Sequence, residues 1–431
     1  MNLLITLGTL FFLLLVGSPV VFAIGSAGII YFVVQPDLWP IMGVYAQRFF
    51  MGMNSFVLLC IPLFILAGEI MSSSGMMKDL VRFAQLLVGR FRGGMAYVNV
   101  LVSMLFGGIT GSGLADVSAL GPIEITAMNE DGYEPAFSGA ITATSAIQGP
   151  IIPPSIPMVL FASLTNVSVG ALFFGGLVPG VCIGLGQMLV IKMMSKKRHF
   201  PKRTEEITMR EALQITKTAF FALLMPLIIL GGILSGVFTP TEAAAIACGY
   251  SLIISKFVYK KLSFKNLKNA LATTAKTSAS VYLIVAFTAV ISWILAIEGL
   301  PALIQGWVSA NKPSPYFMLF LVNVFFLFNG MWLSDTAQLV LFAPLFAPIM
   351  NSLGIHPIHF GVVMVVNVMI GMITPPYGLA LYLSASIAQV PLKSLVRETI
   401  PFVAISIAVL FLISYVPLMV LGIPRYLGLI Q

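Results

Sequence analysis

Apolar runs of membrane-spanning length fill the chain. Between polar punctuation they fall at 2–16, 19–35, 44–73, 95–129, 134–165, 169–194, 217–235, 240–259, 273–296, 315–351, 357–390 and 396–424. A helix needs about 20 apolar residues to cross a bilayer, so most of these runs predict single spans. The first two are short and are expected to tilt or to pack on a partner. Runs 95–129 and 315–351 are too long for one crossing, and each has polar, Gly-rich sequence at its middle. Both predict hairpins that enter the membrane and turn back. Runs 134–165 and 357–390 are interrupted by Pro153-Pro154 and Pro375-Pro376 and predict discontinuous helices.

Of the 431 residues, 59% are hydrophobic and 9% charged, where a soluble chain carries about 25% charge. That excludes a soluble enzyme, a secreted domain and a disordered chain. An outer-membrane barrel is excluded too, since its strands alternate around a polar lumen. The fold class is an all-α polytopic membrane protein. A net charge of +8 then reflects basic loops, not nucleic-acid binding. Lys78, Arg82, Arg90 and Arg92 share one loop. Lys192, Lys196, Lys197, Arg198, Lys202, Arg203, Arg210 and Lys217 surround the central polar stretch. Lys256 to Lys276 form a third group, and Lys393 and Arg397 a fourth. If the hairpins do not cross, all of the 23 Lys and Arg except Arg48, Lys312 and Arg425 lie on one side. The positive-inside rule makes that side cytoplasmic, with both termini periplasmic.

The two halves resemble each other. Ser18-Pro19 matches Thr239-Pro240, the stretch Gly111–Asp116 matches Gly330–Asp335, and Gly149 to Pro154 matches Gly371 to Pro376, at offsets of 221, 219 and 222. The joint is Ser195 to Lys217. Each half has five spans and one hairpin, and an odd count inverts the second copy. Inverted repeats with paired broken helices point to a secondary transporter with its site at the midplane.

The hairpin tips carry the candidate chemistry. Five of the eleven residues from Phe106 to Asp116 are Gly or Ser, costly for a helix but suited to turning carbonyls toward a small cation. Small-residue helix packing is the competing explanation. The opposite tip is Phe328 to Thr336. Carbonyls upstream of each Pro-Pro lose helical donors and need another electrophile; Ser145, Gly149, Gly371 and Thr374 lie there. A plain structural kink is the competing explanation. Asp116 and Asp335 follow the tips, either as helix caps or as cation ligands. Glu69, Glu124 and Glu242 also lie in apolar runs. Glu242 fits a first-turn capping pattern after Thr239, and Glu69 is placed to pair with Lys78 or Arg82. His199, His356 and His359 form no metal or triad pattern, and His356 and His359 are expected at the outer interface. Trp39, Trp293 and Trp307 are expected as interface anchors. Cys60, Cys182 and Cys248 form no ligand cluster. There is no phosphate-binding loop for ATP, and the N-terminus lacks the basic region of a cleavable signal peptide. An intramembrane enzyme or a channel is the competing class. No Ser/His, Asp/Asp or His-cluster constellation supports an enzyme, and a channel needs no paired hairpins.

These tips, together with GPIIPPSIP (149–157), FTPTEAAAI (238–246) and GMITPPYG (371–378), resemble the large membrane subunit of tripartite ATP-independent periplasmic (TRAP) transporters, in look nearest the sialic-acid type. The resemblance covers essentially the whole chain. It implies a sodium-driven importer of an organic acid (sialic acid or C4-dicarboxylate class), not an enzyme, working as an elevator in the bacterial inner membrane. It implies a small four-helix membrane subunit, here expected as a separate chain because Met1 directly precedes the first span, and a soluble periplasmic substrate-binding protein. Two or more Na+ ions per cycle are expected. The sodium set carried over is Ser103, Gly107, Thr110, Ser112, Asp116, Ser145, Gly149 and Ile152 in the first half, with Gly330, Asp335, Gly371 and Thr374 in the second. Substrate contacts are expected from Ser112, Gly113, Pro154, Ser155, Asn329, Trp332, Ser334 and Pro376. In domain terms, 1–94 and 217–314 form scaffold and arms, 95–165 and 315–390 the moving transport domain, 166–216 a span and cytoplasmic linker, and 391–431 a last span. The alternative is a stand-alone divalent-anion–sodium symporter that needs no binding protein.

The charge pattern makes a direct prediction. In a variant freed of its native cysteines, a cysteine placed at Lys202 should resist a membrane-impermeant thiol reagent in intact cells, and one placed at Lys312 should react. The opposite labelling would invert the topology.

Overall fold

The structure, a computed structural model, describes residues 2–202, 208–376 and 378–430. Arg203 of the central basic group and Tyr377 of the second Pro-Pro motif lie outside the described residues. Everything regular in the described residues is helical. The first half runs α1 (Asn2–Leu15), α2 (Val20–Val34), α3 (Gly43–Met53), α4 (Cys60–Ser73), α5 (Met76–Val88), α6 (Gly94–Thr110), α7 (Gly113–Glu130), α8 (Pro135–Ser145), α9 (Ile156–Thr165) and α10 (Val169–Arg198). The second runs α11 (Met209–Leu234), α12 (Pro240–Ile253), α13 (Phe264–Ile297), α14 (Leu300–Asn311), α15 (Pro315–Asn329), α16 (Asp335–Ser352), α17 (Pro357–Gly371), α18 (Leu379–Ala388), α19 (Leu392–Tyr415) and α20 (Leu418–Tyr426). Among the described residues, six helices are long and apolar enough to span a bilayer, and several shorter apolar ones accompany them.

Local chemistry sets the helix starts. Thr208 and Thr239 each form a capping box, with Glu211 and Glu242 reaching back to the cap amide. Glu242 is thus structural, as its spacing implies. Both predicted hairpins are present, α6 turning into α7 and α15 into α16, and both predicted breaks separate helices, α8 from α9 and α17 from α18. Three expectations are corrected. Lys78 and Arg82 ride on α5, not in a loop; that helix buries Met76, Met77, Leu80, Val81 and Ala84 and leaves its basic side free, an amphipathic pattern too polar for a hydropathy reading. The run 44–73 is two helices, divided around a short 3-10 turn at Phe56–Leu59. His359 is buried, its Nε2 lying 2.9 Å from the Ile413 carbonyl. Half-buried Trp293 stacks on Phe32, with ring centroids 6.0 Å apart.

The helices assemble in two groups. The 34-residue α13, about 50 Å long at 1.5 Å per residue, packs along α2, α3 and α4, while α4 also packs on α12 and α5 on α11. The other group joins α7, α8 and α18 with α19, and sets α16 on α9 and α17, with α10 behind α6, α17, α19 and α20. The Ser384 hydroxyl donates to the Gly139 carbonyl at 2.6 Å and ties the two halves of this group together. The groups meet where α5 and α4 pack on α6 and where α13 packs on α16. Arg198 and Glu398 form an ion pair, at 2.6 Å, between α10 and α19.

Small residues set the helix spacing, as expected where lipid supplies no hydrophobic drive between helices. A Cβ on Gly52 would lie 2.6 Å from that of Ala289 on α13. Gly249 on α12 has nothing within 4 Å of such a position. Gly52→Ala should therefore lose about 1–3 kcal/mol through overpacking. Gly249→Ala should hold or gain up to about 1 kcal/mol from helix propensity. Thermal unfolding of the purified variants in detergent checks the opposite signs.

Candidate ion and substrate site

The first hairpin closes over two residues. Gly111 takes φ +63°, a conformation that favours glycine, and its amide bonds back to the Gly107 carbonyl at 3.2 Å. Ser112 then caps α7, its hydroxyl accepting from the Ala115 amide. The cap is therefore Ser112, not Asp116. Asp116 is freed for other work: it is 1% exposed, and Thr110 donates its hydroxyl to one carboxylate oxygen. The other oxygen, Oδ2, has no partner and lies against Gly149 in the break.

The break answers the tip. Four of the nine residues from Gly149 to Pro157 are proline, so this buried backbone is rich in carbonyls and poor in amides. Ser155 donates to the Pro150 carbonyl and caps α9 by accepting from the Met158 amide at 3.2 Å. Tip and break touch backbone to backbone. A side chain on Gly107 would land on Gly149, one on Gly111 would lie 2.7 Å from the Pro154 carbonyl, and the Ile156 amide donates to the Gly111 carbonyl at 3.3 Å.

The second half repeats this construction. Gly330 and Gly371 face each other so closely that a Cβ on either would lie 2.6 Å from the other's Cα. Ser334 caps α16, as Ser112 caps α7. The caps, like the two Pro-Pro pairs, are 222 residues apart. This corrects the sequence match of Gly111–Asp116 to Gly330–Asp335, which is three residues out. In the corrected register the counterpart of Asp116 is Gln338, which sequence reading missed. Gln338 is fully buried, bonds the Leu333 carbonyl through Nε2 at 3.2 Å, and leaves Oε1 without a partner. Asp335 instead opens α16, its carboxylate accepting from Thr336 at 3.5 Å. Thr374 donates its hydroxyl to the Ile370 carbonyl at 2.7 Å.

Buried polar side chains hold each hairpin to its break. In the first half Ser103 donates to Ser145 at 2.9 Å, Ser145 to Asn99 at 2.8 Å, and Asn99 to Thr142 at 2.7 Å. In the second, Asn367 donates to Asn323 at 3.0 Å and Asn323 to Ser414 at 2.9 Å. Ser145 and Asn367 each precede the close-packed glycine by four residues. Asn99, Asn323 and Asn367 are further omissions of the sequence reading; an amide side chain inside an apolar run was the available signal.

Two cavities flank these pairs. One, of about 540 Å³, lies between the first hairpin and helices α4 and α13; Thr110, Ser112 and Ser118 face it from the hairpin, and Glu69, Ser72, Thr273 and Thr277 from the other side. Glu69 makes no ion pair with Lys78 or Arg82, against expectation, because it turns to this cavity. The other, of about 180 Å³, is bordered by Trp332, Ser334, Asp335, Gly330 and Gly371. The expected substrate residues thus divide. Ser112 borders the larger cavity, and Trp332 and Ser334 the smaller. Gly113 packs close to Met372 of the second break, Pro154 and Ser155 shape the first break, Asn329 bonds within its own helix at 2.8 Å, and Pro376 is exposed. The Ile152 side chain packs on Gly180 of α10, leaving its carbonyl as the group it can offer.

Residues 7–419 match the family described as "Tripartite ATP-independent periplasmic transporter, DctM component". The chain is 37% identical over 420 residues to the sialic acid TRAP transporter large permease protein SiaM of Vibrio cholerae, covering 96% of this chain and 97% of that one. It is 38% identical over 384 residues to the C4-dicarboxylate TRAP transporter large permease protein DctM of Pseudomonas aeruginosa, covering 89% and 90%. In fold it is similar to the YdaH transporter of Alcanivorax borkumensis, with a TM-score of 0.63 at 16% identity over 91% of this chain and 90% of that one. With its paired hairpins, paired breaks and multi-pass helical architecture, the chain belongs to the large permease family of TRAP transporters.

Proposed function

We propose that this permease imports an organic acid by sodium-coupled symport, with a Na+ ion held at each tip-and-break pair. The observation that carries the reading is a matched pair of orphaned oxygens. Asp116 Oδ2 and Gln338 Oε1 belong to residues at equivalent positions of the two halves, are buried and have no donor; Asp116 Oδ2 lies against Gly149, and the Gln338 side chain reaches the Gly330–Gly371 contact through its amide nitrogen. A buried acceptor without a donor is costly, and a hard cation with oxygen ligands relieves it. The prolines supply carbonyls around the same points, and Thr374 keeps lone pairs free after donating to Ile370. Ser103, Ser145, Asn323 and Asn367 act as positioning residues that fix hairpin against break. Bound sodium would supply the positive charge that an anionic substrate needs in a site without Lys or Arg.

The larger cavity is the substrate site in this reading. The repeats are inverted, and the hairpins and breaks move together as an elevator against α1–α5 and α11–α13. The chain works in the bacterial inner membrane with both termini periplasmic, beside a small four-helix subunit and a periplasmic binding protein that delivers substrate. Relatives named for sialic acid and C4-dicarboxylates support a carboxylate cargo.

Uptake into proteoliposomes holding the partner proteins should rise with a Hill slope above one in sodium, and uptake unchanged in potassium would sink the coupling. Thr374→Val removes an oxygen and leaves the prolines in place. Loss of one ligand, about 1–3 kcal/mol by analogy with a buried polar partner, should raise the half-saturating sodium concentration roughly five- to hundredfold. Unchanged sodium dependence with normal expression would make Thr374 structural.

A further inference from the structure

The larger cavity contains a charge of the sign opposite to that expected of a site for an acid. Among the residues that border it, Glu69 is the sole ionisable side chain. Its place is tightly fixed. A Cβ on the adjacent Gly68 would lie 3.1 Å from Thr110 Cγ2 and 3.3 Å from Thr110 Cα, so α4 rides directly on the end of the first hairpin. Glu69 is half-buried there, with Ser72 one turn on and Thr273 and Thr277 across from it on α13. None of these four makes a hydrogen bond or ion pair with a described residue. They are free for a ligand.

A carboxylate wall accepts hydrogen bonds and repels anions. A substrate that placed a second carboxylate there would meet like charge at short range, with no Lys or Arg bordering the cavity to offset it. A substrate that placed hydroxyl or N–H groups there would instead form charge-assisted hydrogen bonds to Glu69. Hydroxyls of Ser72, Thr273 and Thr277 can donate or accept and suit the same polyhydroxylated surface. Selectivity then has both an attractive and a repulsive part. About 540 Å³ is ample for such a molecule.

We propose that Glu69 is a specificity-determining residue that selects monocarboxylates bearing hydroxyl or N–H donors and rejects dicarboxylates. This deepens the proposed function, since it rests on the larger cavity being the substrate site.

The test measures thermal stabilisation of the purified full chain in sodium chloride by D-gluconate and N-acetylneuraminate, against succinate and fumarate. At least one hydroxylated monocarboxylate should stabilise the native chain and neither dicarboxylate should. Glu69→Gln should raise the half-saturating concentration of that probe roughly tenfold or more, the scale on which unpaired polar groups discriminate, and should let succinate in; Glu69→Asp should keep the native order. Stabilisation by a dicarboxylate equal to that by the hydroxy acids, no stabilisation by any probe, or an unchanged order in Glu69→Gln overturns the proposal. An equal rise in the sodium requirement for every probe would make Glu69 a cation site and overturn it as well. Thr277→Trp, which fills the cavity from the exposed face of α13, separates the levels. If it leaves stabilisation intact, the site assignment itself is wrong. If it abolishes stabilisation while Glu69→Gln changes nothing, the role of Glu69 alone is wrong.

Discussion

A helix that ends inside a membrane leaves amides and carbonyls where no water can satisfy them, and this architecture places such ends at the middle of both halves. The solution is mutual. Each hairpin tip is laid against a break so closely that glycine is required on both sides, Gly107 on Gly149 and Gly330 on Gly371. Serine caps take the helix-start amides at Ser112, Ser155 and Ser334, and the prolines remove donors that would otherwise need acceptors. What this leaves over is oxygen, and an excess of buried oxygen at a fixed point is the physical basis for a cation site.

The halves share a frame and differ in chemistry. In the register set by the caps, Asp116 corresponds to Gln338, Ser145 to Asn367, and Ile152 to Thr374. The first pair offers a carboxylate and a carbonyl where the second offers an amide oxygen and a hydroxyl. Asp335, at the first position of α16, restores a carboxylate to the second half but one turn earlier along its helix. Two cations held this way would meet different fields, so equal affinity at the two places is not built into the repeat.

Hairpins and breaks were legible in the sequence because their signals, Gly-rich tips and paired prolines, are local and survive in any packing. Their register was not. Gly111 and Gly330 align by eye, yet Gly111 is a turn residue at positive φ while Gly330 is a packing residue against Gly371. Only the capping serines show which residues correspond. Gln338 was passed over for the same reason, and because an uncharged side chain draws less notice in an apolar run than Asp335 does. Amphipathic α5 was missed because hydropathy averages away a one-sided pattern, and Glu69 was paired by proximity in sequence to Lys78 when α4 turns it the other way.

The scarcity of fixed positive charge has a consequence for coupling. A lysine in the larger cavity would neutralise an organic acid by itself, and the acid could then cross without a cation. If the larger cavity is the substrate site, as proposed, an acid among its hydroxyls and one carboxylate would be poorly stabilised until a mobile cation is present beside the tip. The free energy by which each ligand favours the other is reciprocal, so the same absence that weakens binding of the acid alone also makes the cation bind better when the acid is there. Removing a fixed charge from such a site would thus tie the movements of acid and cation together, as the proposed sodium-coupled import requires.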